Sequence, residues 1–165
     1  MTVLLFLVAV VALAGIDQLI KVWILHAIAL EPTRSVIPHV LNFTYVENRG
    51  AAFGIFYEQK WFLIGLTGFM LAILIYLVAS KRVKNKVPIV CLALISGGGI
   101  GNLIDRIFRG YVIDYIDLQF WPLDQFAVFN FADCLVVCGA LWLMCYVLIV
   151  EPMTAKRKGR EADAE

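Results

Sequence analysis

The stretch 61-WFLIGLTGFMLAILIYLVAS-80 carries no charged side chain. At 1.5 Å per residue, a helix of this length is about 30 Å long, which matches the hydrocarbon thickness of a bilayer. A surface helix of a soluble protein needs a polar face, and this stretch has none. It reads as a membrane span, and the rest of the chain can be read outward from it. Upstream, Thr2 to Leu30 forms a second apolar run, interrupted by Asp17 and Lys21. Downstream lie Val87 to Ile107, ending in Asn102, Asp105 and Arg106, and Phe129–Val150, opening with Asn130 and Asp133. The whole chain is 62% apolar and 16% charged, with mean hydropathy +0.85. Ordinary soluble domains are about 45–50% apolar. The fold class expected is membrane α, with four transmembrane helices.

At 165 residues the chain fits one domain. Residues 1–153 are expected to form a single integral membrane unit, and 154–165 a charged, disordered tail. Ala12-Leu13-Ala14 resembles a leader-cleavage site, but no basic region precedes it and apolar residues continue past Lys21. The first run is therefore expected to be a retained span. Cations cluster at Lys81, Arg82, Lys84 and Lys86, and again at Lys156, Arg157, Lys158 and Arg160. Basic flanks stay in the cytoplasm. Both termini are then cytoplasmic, and the segments 31–60 and 108–128 lie outside. Ser35–Gly54 is rich in β-branched and aromatic residues, broken by Pro38 and Gly50, and reads as strand-like. With Trp61, Phe120, Trp121 and Phe126 it suits the membrane interface. A small sheet against the outer membrane face is expected.

This orientation brings the intramembrane polar residues to one depth. Spans one and three run outward and span four runs inward. Asp17, Lys21, Asn102, Asp105, Arg106, Asn130 and Asp133 therefore fall near the outer face, with Asp114 and Asp117 in the connection beside them. Charges within a membrane are expensive and mark function. Three serines, Ser35, Ser80 and Ser96, and two histidines, His26 and His39, are poorly placed for a Ser/His triad or a histidine metal site. Cys91, Cys134, Cys138 and Cys145 sit in apolar stretches and read as inert packing residues. No metal or cofactor is expected, and the net charge of +1 implies no nucleic-acid partner. Carboxylates are well supplied. Two close together share a proton, so one can activate water while the other polarises a carbonyl.

Each element also has a simpler reading. Gly97-Gly98-Gly99 and Gly101 suit close helix packing. Asn102, Asp105 and Arg106 share a helical face by spacing, and Asp105 and Arg106, being adjacent, should pair with groups elsewhere. Asn130 and Asp133 fit helix capping as well as function. Asp17 and Lys21, at i and i+4 with the acid first, fit a structural ion pair. Asn48-Arg49-Gly50 fits an ordinary turn as well as a close approach to substrate backbone. A proton-coupled carrier or a lipid-binding bundle would also place acids in the membrane. The clustering at one face, rather than along a path across it, favours a hydrolytic site.

Five segments, in order along the chain, resemble the lipoprotein signal peptidase family (signal peptidase II). They are Asp17-Gln18-Leu19-Ile20-Lys21, Asn48-Arg49-Gly50-Ala51-Ala52-Phe53, Gly101-Asn102-Leu103-Ile104-Asp105-Arg106, Val112-Ile113-Asp114-Tyr115-Ile116-Asp117 and Phe129-Asn130-Phe131-Ala132-Asp133. Ile20 departs from the Ser or Thr common at that place. The resemblance implies four spans with a small extracytoplasmic sheet cradling the site. It implies a membrane aspartic endopeptidase of the bacterial cytoplasmic (inner) membrane with Asp114 and Asp133 as catalytic pair. Its implied substrate is a diacylglyceryl-modified prolipoprotein, cut just before the lipidated cysteine, and its implied inhibitor class is globomycin. Asn102, Arg106 and Asn130 are the implied supports of the acids or of substrate backbone, and Asn48 and Gly50 the implied peptide contacts. Asp105 is left between supporting Arg106 and supporting the fold. Membrane lipids are expected partners, and the protein is expected to be a monomer.

Overall fold

A computed structural model describes residues 3–28, 33–51 and 55–154. Four helices are long and apolar enough to cross a membrane: α1 (Val3–Ala27), α2 (Lys60–Ala79), α3 (Lys86–Phe108) and α4 (Phe131–Cys145), which runs on through a π-helical turn at Tyr146–Val150 to Thr154. Their apolar side chains mostly point outward. Only 17% of the most apolar window of α2 and 11% of that of α4 is buried. A soluble bundle would turn those faces inward, so the solvent they meet is lipid. α3 packs against the other three helices and is the most buried of them. Its glycines allow this. A methyl group on Gly98 would lie 2.3 Å from the carbonyl oxygen of Ala132 in α4, and one on Gly97 would lie 2.7 Å from Leu13 in α1. The expected tail lies outside the described residues apart from Thr154.

At one end of the bundle sits a three-stranded antiparallel sheet: β1 (Thr33–Ile37), β2 (Leu41–Asn48) and β3 (Val112–Leu118), in that order. β1 and β2 form a hairpin through Pro38-His39, with His39 in the left-handed region at φ 59. The sequence reading expected strand character in 35–54 only. The third strand comes instead from the connection between α3 and α4. Val112, Ile113, Tyr115 and Ile116 are β-branched or aromatic, so they fit a half-buried pleated surface. Gly110 adopts φ 90 and its N–H bonds to the Asp105 carbonyl at 3.1 Å. This left-handed residue ends α3 and turns the chain into β3. Between Phe43 and Val46 the β2–β3 register slips by a bulge, after which Val46 faces Asp114. Bulges of this kind re-aim side chains beside functional sites.

Two apolar clusters anchor the two ends. Phe6, Val10, Val78, Ile89 and Leu92 close the end away from the sheet. Ile24, Ile28, Ile113 and Tyr115 seat the sheet on α1.

Candidate active site

The start of α4 fixes the site. The sequence reading placed the span from Phe129, but the helix begins at Phe131 because the two preceding residues have other partners. Phe129 pairs with Ile116 of β3 in both directions, at 2.7 and 3.1 Å. Asn130 is the N-cap, accepting from the Asp133 N–H at 3.0 Å, while the Asp133 carboxylate accepts from the Asn130 N–H at 3.1 Å. This is a reciprocal capping box. The remaining exposed donors of the first turn are met by side chains from elsewhere. Phe131 N–H bonds to the Tyr115 hydroxyl at 3.2 Å, and Ala132 N–H bonds to Asp17 Oδ1 at 3.1 Å. The first turn of α4 is thus clamped by α1 and β3, and Asp133 has little freedom to move.

The two readings of Asn130 therefore both hold. It caps the helix, and its side-chain NH₂ also donates to Asp114 Oδ1 at 2.6 Å and to Asn102 Oδ1 at 3.2 Å. Asn102 donates to Asp133 Oδ1 at 2.8 Å, and Asn48 donates to Asp114 Oδ2 at 2.9 Å. Asp114 and Asp133 line one cavity of about 130 Å³ with Asn48, Asn102, Arg106 and Val112. Their hydrogen-bond donors are amides throughout. Arg106 joins the cavity wall with its guanidinium on the Gly50 carbonyl, 2.8 Å away, so Gly50 is held from within the protein. Burial, and then the neighbouring charge of Asp133, pushes the Asp114 carboxyl up to about 7.

Beside the cavity lies a second acidic cluster. Lys21 donates to Asp17 at 2.8 Å, to Asp105 at 2.7 Å and to Asn102 Oδ1 at 3.0 Å. An ammonium has three N–H donors, and all are used. Asp105 also pairs with Arg109 and accepts from the Ile113 N–H. The helical-face expectation for Asn102, Asp105 and Arg106 resolves into a division. Asp105 turns to α1, Arg106 turns to Gly50, and Asn102 joins the two clusters. The ion pair expected between Asp17 and Lys21 is present, with both side chains fully buried. Gly101 makes room for it, since a methyl group there would lie 2.5 Å from Asp17 Oδ2.

Two residues of this cluster were not picked out from sequence. Gln18 donates to Asp17, to the Gly101 carbonyl and to Asp105, and accepts from Arg109. A glutamine beside an aspartate within an apolar run was the available signal for the first, and the i, i+4 spacing from Asp105 for the second. Asp117 is not drawn into either cluster. It accepts from Thr44 at 2.7 Å and from Gln119 at 2.7 Å on the sheet.

Known proteins resemble this chain in sequence and in fold. The family model described as signal peptidase (SPase) II matches residues 8–149. The chain is similar to the lipoprotein signal peptidase of Streptococcus thermophilus (strain CNRZ 1066), 41% identical over 83% of this chain and 88% of the relative. It is equally similar to the protein of that name in Syntrophomonas wolfei, 41% identical over 89% and 92% of the two chains. Its fold matches a bacterial membrane enzyme solved in meso at 2.3 Å resolution, with TM-score 0.76, 31% identity and 87% of each chain covered.

Proposed function

The chain belongs to the signal peptidase II family, and on that premise we propose that it removes signal peptides from prolipoproteins, cutting diacylglyceryl-modified precursors just before the lipidated cysteine with Asp114 and Asp133. It is a multi-pass bacterial membrane peptidase. One observation carries the mechanistic part of the proposal: two carboxylates line a single cavity, and among the described residues every hydrogen bond they accept comes from an amide. A cation beside a carboxylate favours the ionised form. Amide donors leave a pair of acids free to share one proton.

In this mechanism Asp133 takes a proton from water as the oxygen attacks the scissile carbonyl carbon. Asp114 gives its proton to the carbonyl oxygen, forming a neutral tetrahedral species. As that species collapses, Asp114 recovers its proton, the C–N bond breaks, and Asp133 hands its proton to the leaving amine. Asn102 and Asn130 hold the acids in register. Arg106 and the adjoining Gly50 segment position substrate backbone. The lipid anchor and signal helix confine the scissile bond to the membrane surface, so binding has little translational entropy left to remove. The active end faces outward, with both termini cytoplasmic, as the basic clusters direct. The protein acts as a monomer.

The test is cleavage by purified protein in detergent. Wild-type protein should cut the diacylglyceryl-modified precursor and spare the non-lipidated one, and Asp114→Asn and Asp133→Asn should each abolish cutting. Activity in both variants would rule out the pair, and equal cutting of the two precursors would rule out the substrate class.

A further inference from the structure

The end of the bundle away from the aspartates holds a larger cavity, of about 310 Å³, between the end of α2, the start of α3 and the π-helical continuation of α4. Asp133 stands in the first turn of α4 and Glu151 lies in the cavity wall, roughly 27 Å further along at 1.5 Å per residue. That separation places the cavity at the opposite membrane interface. Its rim carries Arg82, Lys84 and Asn85. Apart from Glu151, its walls are largely apolar, with Leu92, Leu143 and Val147 among them. Arg82 lies over the Tyr76 ring at 5.7 Å, which fixes the guanidinium at the rim. Among the described residues, neither Arg82 nor Lys84 forms an ion pair, although the Glu151 carboxylate shares the cavity.

We infer that this cavity binds an anionic glycerophospholipid, with its phosphate on Arg82 and Lys84 and the upper part of an acyl chain against Leu92, Leu143 and Val147. Charge and shape select this occupant. Two cations without an ion-pair partner among the described residues, at a membrane interface, call for an anion, and local attraction to anionic headgroups is worth about 1 kcal/mol per basic residue. A free phosphate would leave the apolar wall uncovered. A zwitterionic headgroup would set its own ammonium against the two cations. Glu151 suits a headgroup that carries a hydroxyl, such as the glycerol of phosphatidylglycerol, because a hydroxyl can donate to it. The π-helical turn opens the α4 surface at Tyr146 and Val147, where the chain would lie, and such turns recur at functional sites. None of these residues belongs to the catalytic cluster, so this site stands apart from the peptidase reading.

The experiment adds phosphatidylglycerol, phosphatidylcholine of the same chains, or glycerol 3-phosphate to delipidated full-length protein. Native mass spectrometry and the thermal midpoint are read for each. Phosphatidylglycerol should give a retained adduct and raise the midpoint by about 5 °C at saturating lipid, whereas phosphatidylcholine and glycerol 3-phosphate should do neither. The double variant Arg82→Gln/Lys84→Gln should lose the adduct and the shift. Val147→Trp, which fills the apolar wall and keeps the cations, should weaken both. Lys60→Gln, at the other end of the bundle, should keep them. Both cavity variants should still cleave the lipidated precursor, which shows that they are folded. Equal stabilisation by phosphatidylcholine, full stabilisation by glycerol 3-phosphate, or an undiminished shift in the double variant would overturn the inference.

Discussion

Two clusters of acids, all buried except the half-buried Asp133, stand side by side at one end of this bundle, bridged by Asn102. In the first, Asp17 and Asp105 meet Lys21 and Arg109, so two negative charges face two positive ones. In the second, the hydrogen bonds that Asp114 and Asp133 accept among the described residues come from amides, while the Arg106 guanidinium shares their cavity but bonds to Gly50. The residue types are the same and the depth is similar, but the partners differ. Cations tie a carboxylate in place through direct ion pairs, which suits fastening α1 to α3. Amides orient a carboxylate without fixing its proton, which suits chemistry. Proximity of acids in a membrane protein therefore does not identify a catalytic pair. The character of their donors separates the two uses.

The most direct way to break this comparison is to make the same Asp→Asn change in each cluster. In the amide-lined pair, Asp114→Asn or Asp133→Asn should lower turnover by about 10³–10⁴-fold without lowering the thermal midpoint. In the ion-paired cluster, Asp105→Asn leaves Lys21 and Arg109 short of counter-charge, and should cost about 3–5 kcal/mol of stability. Thermal unfolding in detergent beside initial-rate assays reads both effects. Equal loss of stability from Asp114→Asn would erase the distinction.

Titration sharpens the same contrast. Asp114 is raised from 3.8 to about 7, so the folded protein binds its proton more tightly than the unfolded chain does. Its contribution to stability is thus most favourable below pH 4, declines as pH rises toward 7, and is flat above. Activity that needs the Asp114 proton should fall about tenfold per unit above pH 7 in a pH–rate profile. Asp114→Asn should remove the corresponding slope from the thermal midpoint between pH 4 and 7.

Smaller effects test the scaffold. Gly98→Ala would press a methyl group on the Ala132 carbonyl, next to Asp133, and should cost about 1–3 kcal/mol while lowering turnover. Arg49→Ala removes an exposed pair with Glu47 on the sheet surface and should leave the thermal midpoint unchanged.

Several features could be read directly from the sequence. Four spans, the approximate ends of the helices, and the gathering of polar residues at one depth follow from hydropathy and charge. The Asp17–Lys21 pair follows from i, i+4 spacing. β3 was not read as a strand, because seven residues carrying two aspartates lack the clean alternation of an amphipathic strand. Its pairing with β2 and with Phe129 is a long-range choice. The reach of Gln18 across to α3 and of Arg109 across to α1 was similarly hidden, since spacing along one helix does not say which neighbouring helix a side chain meets.

By itself the sequence determined that this chain lives in a bilayer, because long uncharged runs have no other favourable solvent. It also determined which residues are costly enough there to need a purpose. Only the tertiary structure decided which acids form ion pairs and which accept hydrogen bonds from amides. That choice depends on how α1, α3, β3 and the first turn of α4 meet, through glycines whose missing side chains let backbones approach and through a bulge in β2 that sets Val46 opposite Asp114. These contacts join residues far apart in the chain, so no local pattern encodes them.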